Sequence, residues 1–309
     1  MKILYFGDYI KKNGPSNVDI NIKINIRNTN IRYHQANHMP SMKVLLYFLK
    51  ATNLHVSGVS FYGALFSVLG RLFKKKITYT MHGYLKAEQK VNGGKKHRVL
   101  IEKILFLCSH TIVVVSPQMK KLTGYSYKMH VIPNGVDFFE EVVIDKENNL
   151  ITLIGGGRSE KRNLDVCKVV EELNEEGEKI SIDLFGEKGR DSDEISKFYF
   201  VNDYGFVDKK QIITSLKKSR LFVQYSIWDS FSLSIADALN CKCNVIVSEN
   251  VGINFYIEEN SSYVIVNSRE ELKNEILKII NLKRDFVMPN NSLISWSKVA
   301  KEYIKLWSE

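Results

Sequence analysis

The chain alternates short apolar runs with longer stretches in which apolar residues recur every three or four positions. Met1-Lys-Ile-Leu-Tyr-Phe6, Ile77–Thr80, Thr111-Ile-Val-Val-Val115, Asn149–Gly157, Lys179–Gly186, Leu221-Phe-Val-Gln-Tyr225 and Cys243–Val247 have strand length. Near-continuous apolar runs of this kind are strands buried on both faces of a parallel sheet. Phe61–Lys76, Arg98–Leu107, Lys209–Arg220, Glu270–Leu282 and Ser295–Trp307 read as helices, and Met42–Lys50 is apolar and flanked by lysines. Val56–Val59 is a weaker strand. Asn17–Ile31 alternates Asn, Ile and Lys, a poor helical pattern where a first strand–loop–helix unit needs a helix. Strand and helix in alternation predict an α/β fold with parallel sheets.

The 309 residues suit two domains of ordinary size. The pattern stops at His130-Val-Ile-Pro-Asn-Gly-Val-Asp137, passes an acidic, polar linker at Glu140–Asn149, and restarts. The expected division is a first domain at 1–145, a second at 146–294, and an amphipathic last helix at about 295–309. No apolar run is long enough to span a bilayer, and the chain opens on a strand and not on a signal peptide, so a cytoplasmic protein is expected. Four cysteines fit reduced thiols, and Cys241 and Cys243 are too close for a usual zinc pair.

Charge divides the chain unevenly. Residues 1–148 hold 22 Lys+Arg against 9 Asp+Glu, net +13, and the remainder is net −3. Basic density peaks at Arg71–Lys76 and between Lys86 and Arg98. Such an excess points to an anionic partner. Nucleic acid is not expected, because no recognition motif accompanies the charge. An anionic membrane surface fits the lysines beside apolar runs.

Candidate chemistry gathers at strand ends, where α/β proteins bind ligands. Gly155-Gly-Gly157 is followed by Arg158, Lys161 and Arg162. Glycines allow close backbone approach, and fixed cations neutralise phosphate charge. Trp228-Asp-Ser-Phe-Ser-Leu-Ser-Ile-Ala-Asp237 follows another strand, with Ser230 where a helix N-cap is expected. A helix N-terminus binds anions through free N–H groups and its dipole. Asp229 and Asp237 are eight residues apart, a rise of about 12 Å if both lie on the helix. Ser230, Ser232 and Ser234 are small enough for close approach. His82-Gly83 ends a third strand, and Gly14 lies in the loop after the first. Gly93-Gly94 marks a candidate acceptor loop between Tyr84 and Arg98.

Trp228–Ser248 resembles the acid-x7-acid region of retaining GT-B glycosyltransferases, the glycosyl transferases group 1 (family 4 type), whose pattern is E-S-F-G-L-S-x-x-E-A-x-A-C-G-x-P-V-I-x-S. Here both glutamates are aspartates, Asp229 and Asp237, a Gly is Ser232, a later Gly is Lys242 and a Pro is Asn244. Ile132-Pro-Asn-Gly-Val-Asp137, Gly157-Arg158 with the following Lys161 and Arg162, and His82-Gly83 resemble further motifs of that family.

The resemblance implies two Rossmann-like domains facing across a cleft, with the last helix crossing back to the first domain. The first would bind the acceptor and the second the nucleotide-sugar. It implies retaining transfer of a sugar from a nucleotide-diphosphate donor, UDP-linked by expectation, to an acceptor hydroxyl, with no cofactor and no essential metal. His82, Arg158 and Asp229 become catalytic candidates. Gly14, Arg158, Lys161, Arg162, Phe206, Val207, Asp229, Ser230, Phe231, Ser232, Leu233, Ser234 and Asp237 become donor-binding candidates. The diphosphate falls to Arg158 with Lys161 or Arg162, the sugar to His82 and Asp229, the ribose to Asp237, and the base to the segment around Phe206 and Val207. The acceptor is expected to be a glycan or lipid-linked glycan of a bacterial surface polysaccharide, met at the inner face of the cell membrane. An inactive GT-B partner subunit and a nucleotide-sugar epimerase are the alternatives.

Overall fold

A computed structural model describes residues 1–10, 14–26, 30–86, 89, 96–137, 145–282 and 285–309. The chain forms two compact units, Met1–Gly135 with Ile294–Glu309, and Val136–Leu293. The division falls ten residues ahead of the expected 145/146. Asp137 belongs with the second unit because Asn240 donates to its carbonyl and Lys209 pairs with its carboxylate. The glycine pair at 93–94 and residues 140–144 of the acidic linker lie outside the described residues.

Unit 1 contains β1 (Ile3–Gly7), α1 (Gly14–Asn25), β2 (Ile31–Gln35), α2 (Met42–Lys50), β3 (Asn53–Ser57), α3 (Phe61–Leu72), β4 (Lys76–Met81), α4 (Lys96–Cys108), β5 (Thr111–Val114) and β6 (Met129–Val131). Its sheet has the order β2-β1-β3-β4-β5-β6 with every pair parallel. The order in which successive strands are laid down reverses between β1 and β3, which opens a crevice at their carboxyl ends. β1, β3 and most of β4 are buried along their length, as a sheet covered on both faces requires.

α1 corrects the sequence reading. Its inward face is Ser16, Val18, Asp19 and Ile22, half of it polar, so apolar periodicity does not reveal it. Asp19 is satisfied there by the Tyr5 hydroxyl at 2.9 Å and the Asp8 N–H at 2.7 Å. Likewise β3 lies at Asn53–Ser57, ahead of Val56–Val59, because Asn53 and His55 are buried and bonded. The last helix, Trp296–Ser308, packs into unit 1 through the Trp307 indole, which donates to His55 Nδ1 at 3.1 Å. Burial pushes His55 down to about 3, so it stays a neutral acceptor.

Unit 2 contains β7 (Glu147–Ile154), α5 (Asn163–Glu175), β8 (Ser181–Phe185), α6 (Ser192–Ile195), β9 (Val201–Gly205), α7 (Lys209–Lys218), β10 (Ser219–Gln224), α8 (Leu233–Asn240), β11 (Asn244–Ser248), β12 (Tyr263–Val266) and α9 (Arg269–Leu282). The order is β12-β11-β10-β7-β8-β9, again all parallel. Its core joins Ile151 and Leu153 of β7, Leu221 and Val223 of β10, Val166 and Val170 of α5, and Ile276 of α9. Each such side chain contributes about 1.5–3 kcal/mol on full burial. The reversal lies between β7 and β10, so the ends of those two strands frame the ligand position of this fold. Both strand ends run into the motifs singled out above.

Candidate active site

β7 passes into Gly155-Gly-Gly157. Gly155 and Gly156 have φ of +128° and +59°, a region open to glycine at low cost. Their N–H groups both donate to the Phe185 carbonyl, at 2.7 and 2.9 Å. A Cβ on Gly156 would stand 2.1 Å from the Glu187 carbonyl oxygen. The glycines thus fold the end of β7 over the end of β8 and lead into Arg158. Its Nε donates to the Gly155 carbonyl at 3.1 Å, and Nη1 stands 3.4 Å from Glu160. The side chain is 47% exposed, so the cation is rooted at its base and reaches solvent.

One 3-10 turn, Ser159–Lys161, returns the chain inward. Lys161 Nζ meets Asp229 Oδ2 at 2.5 Å, with both side chains mostly buried. Gln224 Nε2 donates to the same oxygen at 2.9 Å, and the Phe231 N–H donates to Oδ1 at 3.1 Å. Burial pushes the Asp229 carboxyl up, but Lys161, the Phe231 N–H and Arg158 outweigh it and hold the group below its ordinary value. Arg162 goes elsewhere. Its guanidinium lies 3.9 Å over the Tyr225 ring, and Nε bonds Asp165 at 2.7 Å. Of the two cations the sequence left open, Lys161 is the one at Asp229.

The expected helix start is corrected. Ser230 is not the cap, and Asp229 is not on the helix. α8 begins at Leu233. Asp229 is held ahead of it because its N–H donates to the Asn250 carbonyl and its own carbonyl accepts from the Gly252 N–H. The helical distance inferred between the two acids therefore does not apply. Ser232 is the N-cap residue, with φ +75° and ψ +87°. A non-glycine residue in that region carries strain of order 1 kcal/mol. The Ser232 hydroxyl donates to Gln224 Oε1 at 2.5 Å, so Gln224 ties the helix start to Asp229. Ser230, Leu233 and Ser234 are partly exposed around this start, and Phe231 is buried against Tyr256.

Asp237 is on α8 and faces a different partner. Lys209 Nζ stands 3.2 Å from Asp237 and 3.1 Å from Asp137. Burial pushes the Asp237 carboxyl up to about 6, with Lys209 opposing the rise and Asp137 adding to it. Burial would lower Lys209, but the two carboxylates outweigh it and raise it. Phe206 and Val207 follow β9, and Phe206 is 56% exposed. The adjacent Tyr204 ring stacks on Phe185 at 5.0 Å.

His82 and Gly14 lie in unit 1. His82 follows β4, and its Nε2 meets the Ser57 hydroxyl at 2.7 Å. Burial pushes it down to about 4, so it is neutral near pH 7. Ser57 also bonds Asp19, whose carboxyl is raised to about 7 chiefly by burial. Gly14 opens α1, and the space its Cβ would take is unfilled.

Arg158, Lys161, Asp229, Phe231 and Ser232 thus share one connected site at the β7/β10 reversal. Gln224 and Lys209 were not among the expected residues. A glutamine closing an otherwise apolar strand was the available signal for Gln224. Lys209, the first helical residue after the Asp208 cap, had none. Among the described residues no group of three His, Cys, Asp or Glu side chains is placed to hold a metal.

Paired carboxylates and fixed cations around a helix start, at the reversal of a doubly wound sheet, match more than a general fold. Residues 137–292, just over half the chain, match the family described as Glycosyl transferases group 1. The chain belongs to this family. No curated protein matches it. Among solved structures, this group 1 glycosyltransferase is similar to Anabaena Alr3699/HepE in complex with UDP-glucose, at 12% identity over 100% of this chain and 99% of that one, TM-score 0.78. It is similar to the sucrose-phosphate synthase of Thermosynechococcus elongatus, at 14% identity over 100% and 98%, TM-score 0.72. It is also similar to the lipopolysaccharide outer core galactosyltransferase WaaB in its apo form, at 14% over 99% and 99%, TM-score 0.66. At these identities the likeness shows the fold, which is GT-B: two Rossmann-like α/β units. No helix among the described residues is long and apolar enough to cross a membrane.

Proposed function

We propose that this glycosyltransferase moves a sugar from a UDP-linked donor to a glycan hydroxyl with retention at the anomeric carbon and without a metal. The observation that carries the reading is the Arg158–Lys161–Asp229 cluster beside the start of α8. As the bond from sugar to diphosphate breaks, negative charge grows on the departing phosphate. Arg158, Lys161 and the N–H groups opening α8 are fixed positive groups suited to that charge, so they act more strongly on the transition state than on the bound donor. Asp229, kept ionised, accepts from sugar hydroxyls and orients Lys161. Asp237 accepts from the ribose hydroxyls, and the Phe206–Val207 segment borders the base. Neutral His82 offers a hydrogen bond to a sugar hydroxyl, and unit 1 receives the acceptor, a free or lipid-linked glycan of a bacterial surface polysaccharide. The setting proposed is the cytoplasm. Donors of this type in solved relatives support the choice of UDP: HepE structures hold UDP and UDP-glucose.

The test is a panel of UDP-sugars with glycan acceptors, the product read by NMR at the anomeric proton. A product with the donor's anomeric configuration is expected. Inverted product, isomerised donor with no transfer, or no turnover with any donor that binds would each contradict the reading.

A further inference from the structure

In unit 1 the connections β2→β3, β3→β4 and β4→β5 all advance the same way across the sheet. Right-handed crossovers place their helices, α2, α3 and α4, together on one face. α1 packs with the last helix instead. The inner sides of α2 and α3 are filled: Val44 and Phe48 on α2, Ala64 and Phe66 on α3, with the Phe48 and Phe66 rings 5.0 Å apart.

Their outer sides are also apolar. Leu46 and Leu49 stand 53% and 57% exposed on α2. Phe61, Leu65 and Leu72 form an exposed stripe on α3, at spacings of four and seven that share one helix face. Leu100 continues the pattern on α4. Three neighbouring helices with apolar outer faces exceed the scattered exposed leucines of an ordinary surface.

Charge identifies the occupant. From Ile20 to Ala87 the chain has no Asp or Glu and ten Lys or Arg. Lys43, Lys50 and Lys74 are exposed beside the apolar rows. Lys75 is not one of them. Its ammonium donates to the Ala51 and Leu49 carbonyls, at 2.6 and 3.3 Å, and lies 4.8 Å over the Phe48 ring. It fastens the end of α2 and is buried, which corrects its expected place in a basic surface cluster. Apolar side chains, mostly leucine, fringed by lysines and with no exposed acid on the three helices (Glu102 of α4 is buried), match an anionic bilayer. A protein partner selects Trp, Tyr and Arg at the centre of its contact, and leucine is uncommon there. Apolar groups enter the acyl boundary while lysines meet headgroup phosphates.

We infer that the outer face of α2, α3 and α4 docks this protein on an anionic lipid bilayer. The inference deepens the proposed function by naming where a lipid-linked acceptor is met, and rests on that reading only for its purpose.

The test is co-sedimentation of the whole protein with vesicles of phosphatidylcholine alone, or with phosphatidylglycerol added, at low and high salt. Binding is expected only with the anionic lipid, weakened by salt. Lys43→Gln, Lys50→Gln and Lys74→Gln together should weaken it about a hundredfold. Leu46→Ser with Leu65→Ser should weaken it at any salt, and circular dichroism confirms that these variants fold. Transfer to a soluble acceptor should stay unchanged in both variants, which separates docking from catalysis. Failure to bind anionic vesicles at low salt, or binding that neither variant reduces, would overturn the inference. So would concentration-dependent self-association, relieved by the serine changes, without vesicle binding.

Discussion

The two units share an architecture and differ in what they place at the point where the strand order reverses. In unit 2 the groups there are charged and paired: Lys161 with Asp229, Lys209 with Asp237, and Arg158 reaching solvent. In unit 1 the corresponding crevice holds His82, held neutral by burial, Ser57, and Asp19, whose carboxyl is raised to about 7. The same topology therefore supplies the site, while the residues at the strand ends select its ligand. Charged, preorganised groups suit a diphosphate, and hydrogen-bonding groups that are neutral or only half ionised near pH 7 suit hydroxyls. In unit 2 burial raises both carboxyls, but Asp229 has a dedicated cation that holds it below its ordinary value, while Asp237, which shares Lys209 with Asp137, is left at about 6.

The strongest way to break this contrast is to remove the cation of unit 2. Lys161→Ala removes the cation nearest the buried Asp229 carboxylate, which costs roughly 3 kcal/mol of stability. It should also abolish detectable transfer, since both the orientation of Asp229 and a positive group near the leaving phosphate are lost. Thermal unfolding and turnover measured on one preparation check this. Unchanged melting would show that the pair is not sustained.

A smaller effect sharpens the comparison within unit 2. Asp237 accepts from ribose hydroxyls only when ionised, and its carboxyl titrates near 6. UDP affinity should therefore be full above about pH 7 and fall by up to tenfold per unit below about pH 6. The stability sign is opposite: a raised carboxyl favours the folded state when protonated, so its contribution is lost as pH rises from about 4 to 6. Binding and melting followed over that range should move in opposite directions for this group. Asp237→Asn should flatten the binding profile.

Most of the fold was legible because parallel strands buried on both faces are near-continuous apolar runs. α1 was obscure because Ser16 and Asp19, polar residues satisfied by tertiary bonds, occupy its inward face. β2 is a short edge strand of mixed composition, and β12, Tyr-Val-Ile-Val, is apolar but only four residues long at the other sheet's edge; neither stood out. At the site, residue types were readable and local geometry was not. Whether Asp229 lies on the helix depends on backbone bonds to Asn250 and Gly252, about twenty residues on, which no local pattern records. The choice between Lys161 and Arg162 depends on Tyr225 and Asp165, and the strained Ser232 depends on Gln224. Lys75 shows the same limit on the surface, since a run of three lysines does not reveal that the middle one is bound to carbonyls.

Calorimetric titration with bare UDP, without sugar or acceptor, tests the division of labour between the units. The unaltered protein should bind it, Arg158→Ala should bind at least tenfold more weakly, and His82→Ala should stay within about twofold of the original. A His82→Ala protein that loses as much UDP affinity as Arg158→Ala, or an Arg158→Ala protein that loses none, would contradict the assignment of the nucleotide to the paired charges of unit 2.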